Sequence, residues 1–181
     1  MNIAVINGGT RPGGNTELLT EKAVQGLATD NINLRDYRIE PIEDLRHTQG
    51  GFQAATDDYD SIIERILPKD ILIFATPIYW YGMSGTLKNF VDRWSQTMRD
   101  PKYCDFKTSM SAKMAYVIAV GGDEPTRKGM PLIQQFEYIF DFIGISFGGY
   151  VLGEGNRPGD ILHDQHALSA ASQLLKRSDF I

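Results

Sequence analysis

The chain has 181 residues, of which 42% are hydrophobic, and a formal net charge of −5 at pH 7. This length and apolar content predict one domain with a buried core. Because nucleic-acid phosphates select basic surfaces, the mild negative charge argues against a nucleic-acid partner. The single cysteine, Cys104, excludes an internal disulfide. No apolar run approaches the roughly 18 residues of a membrane span, so we expect a cytoplasmic protein without a membrane partner.

Short apolar runs alternate with amphipathic helical patterns along the whole chain. Apolar runs predict buried strands, and they lie at 3–6, 71–75, 114–120 and 145–152. A run with more alternation of apolar and polar residues, at 32–39, predicts a strand nearer an edge of the sheet. Helices are predicted at 16–27, 59–66, 83–98, 132–143 and 168–175. The segments 40–56 and 99–112 are polar and are predicted to be loops.

This alternation predicts an α/β protein with a doubly wound, five-stranded parallel sheet and helices on both faces. Five strands at this length match the flavodoxin-like strand order 2-1-3-4-5. In such a sheet, ligands bind beyond the carboxyl ends of the strands, at the switch point between strands 1 and 3. The loops at 8–16, 76–84 and 121–128 therefore form the candidate site.

The loop at 8–16 has the composition of a phosphate cradle. Its glycines permit close backbone approach, and the helix that starts after the predicted N-cap Asn15 presents unpaired N–H groups. Arg11 adds a fixed charge suited to phosphate. Asn15 stands where a nucleotide P-loop has lysine, which disfavours a triphosphate and favours one terminal phosphate. The alternative is a glycine-rich turn without a ligand. The predicted phosphate-binding residues are Thr10, Arg11, Gly13, Gly14, Asn15 and Thr16.

The second and third loops have the composition of a wall for a planar ligand. Three consecutive aromatic residues at 79–81 cannot all point into a core, and flat ligands suit such surfaces. Gly82 is expected to let the chain pass close to a ring. A hydrophobic turn or a dimer contact is the alternative, and an ordinary turn is the alternative at 121–123. The predicted residues are Pro77, Ile78, Tyr79, Trp80, Gly82, Gly121, Gly122 and Asp123.

In two sequence patterns, the chain resembles the NAD(P)H-dependent FMN reductase-like branch of the flavodoxin superfamily. The first is Gly-Ser-x-Arg-x-x-Gly-Asn-Thr, which residues 8–16 match with Gly9 in place of the serine. The second is Pro-x-Tyr-Trp-x-x-x-x-Gly-x-x-Lys-x-Phe-x-Asp-Arg, which residues 77–93 match. The resemblance implies one FMN-binding domain over 1–181. It also implies a homodimer or higher homo-oligomer with the flavin near the interface.

The resemblance further implies how the cofactor lies and what it does. The FMN phosphate is expected on 10–16, and the isoalloxazine ring against 77–82 and 121–123. NADH or NADPH would give hydride to the flavin, and a small acceptor would take the electrons: a quinone, a nitro or azo compound, free flavin or a metal ion. Arg127 and Lys128 are candidates to attract the extra phosphate of NADPH, or they form a solvated helix start.

Proteins of other classes remain as alternatives, namely a flavodoxin-type electron carrier and a flavin-binding redox regulator. The mild charge favours an enzyme over a carrier. Relatives with an iron–sulfur cluster carry cysteines between strand 2 and helix 2, whereas residues 39–58 contain none, which excludes such a cluster. No metal site and no catalytic acid or base is predicted, because the histidines lie in polar segments away from the three loops: His47, His163 and His166.

Overall fold

A five-stranded, fully parallel sheet forms the centre of the computed structural model, which describes residues 1–53 and 55–176. The strand order is 2-1-3-4-5, which confirms the predicted flavodoxin-like fold. The strands are β1 (Ile3–Asn7), β2 (Thr29–Asn33), β3 (Ile71–Pro77), β4 (Met114–Gly121) and β5 (Ser146–Glu154). In the part of the chain that is described, no helix has the length and hydropathy to cross a membrane.

Helices cover both faces of the sheet, because alternate residues of each central strand point to opposite sides. In β1, Ile3 and Val5 enter one core, whereas Ala4 and Ile6 enter the other. The first core is covered by α1 (Asn15–Ala23) and α8 (Gln165–Gln173). The second is covered by α2 (Tyr59–Ile66), α3 (Gly85–Asp92), α5 (Phe106–Ser111) and α7 (Met130–Ile143). Two short helices complete the set, α4 (Trp94–Thr97) and α6 (Pro125–Lys128).

The predicted extent of strand 2 is wrong, although its position at the sheet edge is confirmed. The strand ends at Asn33, and residues 34–36 form a 3₁₀ turn. Leu34 enters the core of the α2–α3 face, while Arg35 turns towards Glu17 on α1. The chain therefore leaves the sheet here instead of continuing as an edge strand.

Two helix predictions and one loop prediction also need correction. Helix α1 ends at Ala23 instead of residue 27, because the chain reaches a left-handed glycine at Gly26. The predicted helix at 83–98 is divided into α3 and α4 at Arg93. The segment 99–112 is not a plain loop, since Phe106 and Met110, four residues apart, bury one side of α5.

Other predictions at this level are confirmed. Helix α7 ends at Ile143, as predicted, and the next residue, Gly144, has a left-handed backbone. The segment 40–56 contains no helix or strand among its described residues, and Ala54 lies outside them. The fold thus brings the ends of β1, β3 and β4 together, as the site prediction requires.

We expect Gly148→Ala to destabilise the sheet. A Cβ at Gly148 would lie 2.5 Å from the ring of buried Tyr116, next to the register shift between β4 and β5. Overpacking of this kind lowers the free energy of unfolding by about 1–3 kcal/mol, which urea denaturation measures. Gly85→Ala is the matched control, because a Cβ at Gly85 meets no atom within 4 Å. An equal loss in both variants would contradict the prediction.

Candidate cofactor site

A cavity opens at the carboxyl ends of the central strands, where the strand order predicts a ligand. It encloses about 780 Å³, part of which is open to solvent. Ten of the fourteen predicted site residues belong to its lining. We call it the rim cavity, and it is lined by Gly9, Thr10, Arg11, Gly14, Asn15, Thr16, Glu17, Pro77, Ile78, Tyr79, Val120, Gly121, Gly122, Gly155, Asn156 and Pro158.

The loop between β1 and α1 supplies N–H groups to the rim cavity. The N–H of Gly9 is already used, because it donates to the Asn7 side-chain oxygen at 2.8 Å. In contrast, the N–H groups of Thr10, Asn15 and Thr16 have no acceptor among the described residues. Two of them belong to the first turn of α1, where the helix dipole favours an anion. Unpaired backbone donors therefore lie where the phosphate cradle is predicted, and their contact with a phosphate stays a prediction.

Side chains add to this cradle. Arg11 is exposed, lines the rim cavity, and has no ion-pair partner among residues 1–53 and 55–176. Thr10 and Thr16 also line the cavity, and Thr16 is buried. A guanidinium and two hydroxyl-bearing residues thus stand beside the free N–H groups. This combination suits a phosphate dianion.

Asn15 does not form the helix cap that the sequence predicts. The N-cap of α1 is Gly14, with an extended backbone, and Asn15 is the first residue of the helix. The Asn15 amide donates to the carbonyl of Arg157 and accepts the N–H of Gly159, both at 2.8 Å. The prediction of an Asn15 cap is therefore wrong, and its side chain instead fastens the loop after β5 to the cavity.

Gly13 and Gly82 lie outside the lining of the cavity and shape its two loops. Gly13 has a φ of +63° and donates its N–H to the Glu17 carboxylate at 2.6 Å. Gly82 closes a turn in which it and Tyr79 exchange backbone hydrogen bonds of 3.0 Å. As direct cofactor contacts, both glycines stay predictions.

The turn at 79–82 holds two aromatic residues in an unusual conformation. Trp80 and Tyr81 have φ values of 49° and 65°, in the left-handed region that non-glycine residues seldom adopt. The paired positive φ values match the tight turns with mirror-image geometry that join hairpin strands. Trp80 is 96% exposed, and the Tyr81 hydroxyl donates to Asp123 at 3.0 Å. Strained residues of this kind concentrate at functional sites.

This turn borders a second cavity of about 450 Å³, which we call the adjoining cavity. It shares Ile78, Gly121 and Gly122 with the rim cavity, so the two lie side by side. The predicted residues Trp80 and Asp123 belong to this second lining. The complete lining is Ile78, Trp80, Tyr81, Gly121, Gly122, Asp123, Pro125, Lys128 and Gly129. Together the two cavities provide a cradle for a phosphate and a slot with aromatic and glycine walls for a flat ring.

The charges around the adjoining cavity are paired with one another. The Lys128 ammonium lies 2.5 Å from Asp123, and the Arg127 guanidinium lies 3.0 Å from Glu124. The hydrogen bonds from Lys128 and then from Tyr81 hold the pKa of Asp123 below its usual value. Both cations proposed to attract the extra phosphate of NADPH thus have carboxylate partners. This arrangement carries no preference for NADPH over NADH.

Sequence reasoning missed part of the lining. The loop after β5 contributes Gly155, Asn156 and Pro158, and it approaches closely enough that a Cβ at Gly122 would lie 3.0 Å from that of Asn156. The run Gly-Asn-Arg-Pro-Gly at 155–159 is rich in turn-forming residues and follows a strand at the same sheet edge. This run is the sequence feature from which the contribution of the loop after β5 could have been predicted. Glu17 was also missed, since its position in the first turn of α1 is ordinary for an acid.

The residues present fit a flavin mononucleotide. The unpaired N–H groups and Arg11 match a phosphate, and the adjoining slot matches an aromatic ring system. When bound, FMN supplies a carrier that accepts hydride from a reduced nicotinamide and passes electrons on. The predicted surface histidines are exposed and line neither cavity: His47, His163 and His166. In the described part of the chain, no group of three or more His, Cys, Asp or Glu is placed to hold a metal ion.

A parallel sheet of this order, with a phosphate cradle after β1 and an aromatic slot after β3, defines a flavodoxin-like flavoprotein. The chain belongs to the NADPH-dependent FMN reductase family, whose model matches residues 1–153. This membership confirms the predicted family, FMN as cofactor, and an oxidoreductase dependent on NADPH or NADH. The contact residues of the cofactor stay predictions.

Known proteins agree with this assignment. Over 181 residues, the whole of both chains, the sequence is 74% identical to a Bacillus subtilis protein that bears the name of an NAD(P)H-dependent FMN-containing oxidoreductase, YwqN. It is 25% identical to an FMN-dependent NADH:quinone oxidoreductase of Vibrio parahaemolyticus, covering 86% of this chain and 88% of that one. A solved structure, titled Trp repressor binding protein from Bacillus subtilis, has a TM-score of 0.83 and 66% identity, with 98% and 99% of the two chains covered.

Proposed function

We propose that this chain, as one FMN-binding domain, passes reducing equivalents from NADH or NADPH to a small acceptor of the quinone or azo class. The main support for this proposal is the set of unpaired N–H groups at the start of α1, with Arg11, beside the slot at 78–81. The cradle would hold the FMN phosphate, and the ring would lie along Ile78, Tyr79 and the glycines at 121–122. The quinone acceptor is supported by the NADH:quinone oxidoreductase relative.

The protein's own part in this reaction is binding, orientation and exclusion of water. The tight turn at 79–82 and the glycine pair at 121–122 would set the distance between backbone and ring. Transfer of hydride between two ring systems requires their alignment more than it requires a side-chain acid or base. This agrees with the absence of histidine from both cavity linings in the described chain.

An anaerobic titration tests the proposal. The FMN-loaded protein is titrated with NADH and, separately, with NADPH, and the flavin absorbance is followed. We expect bleaching by at least one nucleotide, and recovery of the absorbance when a quinone or an azo dye is added. A protein that dithionite reduces, but neither nucleotide does, would be an electron carrier. Reduction without turnover of any acceptor would instead support a redox regulator.

We also propose a homodimer, located in the cytoplasm. Tyr138 and Phe142 lie one turn apart on the outer side of α7 and are 66% and 62% exposed. Tyr150 on β5 and Trp80 are further exposed aromatic residues on the molecule. Adjacent exposed apolar groups, such as Tyr138 and Phe142 on α7, are typical of interaction surfaces. The exposed thiol of Cys104 is compatible with a reducing compartment.

Phe142→Asp is expected to shift the protein from dimer to monomer, because it buries a charge in the proposed interface. Light scattering coupled to size-exclusion chromatography measures the mass. Leu27→Asp is the matched control: Leu27 is 42% exposed and follows α1, which covers the opposite face of the sheet. Its mass should equal that of the wild type. An unchanged mass for Phe142→Asp would place the interface elsewhere.

A further inference from the structure

A carboxylate lies inside the anion cradle. Glu17 belongs to the lining of the rim cavity, next to the N–H groups proposed to hold the FMN phosphate, and its side chain is only 16% exposed. A phosphate and an uncompensated carboxylate in one cavity repel each other. The charge of Glu17 would also cancel that of Arg11, the cation expected to face the phosphate. Without a further positive charge, Arg11 and Glu17 would contribute no net charge to the attraction of an anion.

A further positive charge comes from outside the loop and its helix. Arg35, in the 3₁₀ turn after β2, forms an ion pair with Glu17 and has a side chain that is 18% exposed. Its guanidinium also donates to the carbonyl of Gly9 at 3.4 Å. Arg11, Glu17 and Arg35 together carry a net positive charge. A second carboxylate, that of Asp36, lies 3.8 Å from Arg35, but its side chain is 60% exposed, so water and salt screen it more strongly. The pair is largely shielded from water, so salt screens it only weakly.

The same pair holds the shape of the loop. Glu17 accepts the N–H of Gly13 at 2.6 Å and the amide of Asn7 at 2.7 Å. The Asn7 oxygen in turn accepts the N–H of Gly9. These bonds fasten both ends of the loop at 9–13 to β1 and α1. Because the N–H groups of Gly9 and Gly13 are used in this way, the loop directs its remaining donors into the cavity.

We infer that Arg35 is a positioning residue for the cofactor phosphate: it neutralises Glu17 and holds Glu17 in the place from which it shapes the loop. The inference rests on the proposed placement of the phosphate. It predicts an effect on phosphate recognition and not on binding of the ring. FMN and riboflavin differ by that phosphate alone, so the ratio of their affinities isolates the role of Arg35.

The test measures dissociation constants of FMN and riboflavin for the full chain freed of flavin, by quenching of flavin fluorescence. In Arg35→Gln, we expect FMN affinity to fall on the order of tenfold, as for one unscreened charge at roughly 8 Å, with riboflavin affinity unchanged. The double variant Glu17→Gln with Arg35→Gln should recover the wild-type ratio, because it removes both charges. Arg38→Gln is the control, since Arg38 is exposed and lines neither cavity.

Equal losses for FMN and riboflavin in Arg35→Gln, or a double variant that keeps the low ratio, would overturn the inference. If Arg35→Gln does not fold, Glu17→Gln still decides: its ratio of FMN to riboflavin affinity must equal or exceed that of the wild type, and a lower ratio overturns the inference. Failure of the proposed reaction gives a result that differs from failure of this inference. It would appear as bound FMN that neither NADH nor NADPH bleaches, whatever the affinity ratio.

Discussion

Asp57→Ala is expected to lower the free energy of unfolding by about 3–5 kcal/mol, because it leaves a buried guanidinium without its counter-charge. Asp57 and Arg93 form an ion pair of 2.6 Å, and their side chains are only 2% and 3% exposed. The Arg93 guanidinium also lies 4.4 Å from the ring centre of Tyr59 and donates to the carbonyl of Glu40 at 3.0 Å. Removal of the carboxylate therefore leaves the charge of Arg93 unpaired in the core.

The pair has a further structural task. Asp57 accepts the N–H of Glu40 at 2.9 Å, so it connects both ends of the long segment at 40–56. Arg93, at the junction of α3 and α4, binds the same segment through the carbonyl of Glu40. The segment has no helix or strand among its described residues. Asp57 and Arg93 thus attach the segment to the core, together with Gln96 of α4, which donates to the carbonyl of Gln53 at 3.2 Å.

This pair also predicts the direction of a pH effect. Burial by itself would raise the pKa of Asp57, but hydrogen bonds from Arg93 and from the N–H of Glu40 outweigh it, and the pKa is lowered. A carboxyl whose pKa is lower in the folded state stabilises the fold above its unfolded pKa of about 3.9. That contribution is lost as the pH falls through the folded-state pKa. Asp57→Ala should therefore show a weaker loss of stability on acidification than the wild type.

Urea denaturation at neutral pH measures the effect. Asp92→Ala is the matched control, because Asp92 is the same residue type and precedes Arg93 at the end of α3, but its pair with Lys88 is exposed. Exposed pairs contribute roughly 0–1 kcal/mol. A loss in Asp57→Ala no larger than that in Asp92→Ala would show that the buried pair does not anchor the fold.

Arg11→Ala is expected to weaken FMN binding by about 1.5–3 kcal/mol, which corresponds to roughly 10- to 150-fold. Arg11 lines the rim cavity beside the unpaired N–H groups of α1 and has no carboxylate partner in the described chain. A charge-assisted contact to phosphate is lost, while the backbone donors remain. Fluorescence titration of FMN measures the change.

The control for this prediction is Arg127→Ala. Arg127 is exposed and paired with Glu124 at 3.0 Å, and it belongs to neither cavity lining. We expect its FMN affinity to equal that of the wild type. Unchanged affinity in Arg11→Ala would mean that the guanidinium faces solvent and that the N–H groups hold the phosphate without it.

Much of the site was predictable because it depends on local chemistry. Glycines, a helix start and one arginine within residues 8–16 predict an anion site wherever that helix packs. The aromatic run at 79–81 could not enter a core, and it does line the cavities at the sheet edge. Both loops follow apolar runs that became β1 and β3, and parallel strands place their carboxyl ends together.

The second family pattern, at residues 77–93, contains residues of the cavity lining and a residue of the core. Its first four residues, Pro77 to Trp80, line the two cavities. Its last residue, Arg93, lies in the core, forms an ion pair with Asp57 and lines neither cavity. A pattern records that residues occur together, and it does not separate those that contact a ligand from those that hold the fold.

By itself, the sequence determined the fold class, the strand order and the two principal site loops, because hydrophobic periodicity and glycine content act over neighbouring residues. Only the tertiary structure decided how the cradle is charged and fastened. Arg35 reaches Glu17 from the turn after β2, and the Asn15 side chain holds the loop after β5. These contacts join residues 18 and 142 positions apart. Ion pairs and hydrogen bonds at such separations depend on packing, which no local pattern records.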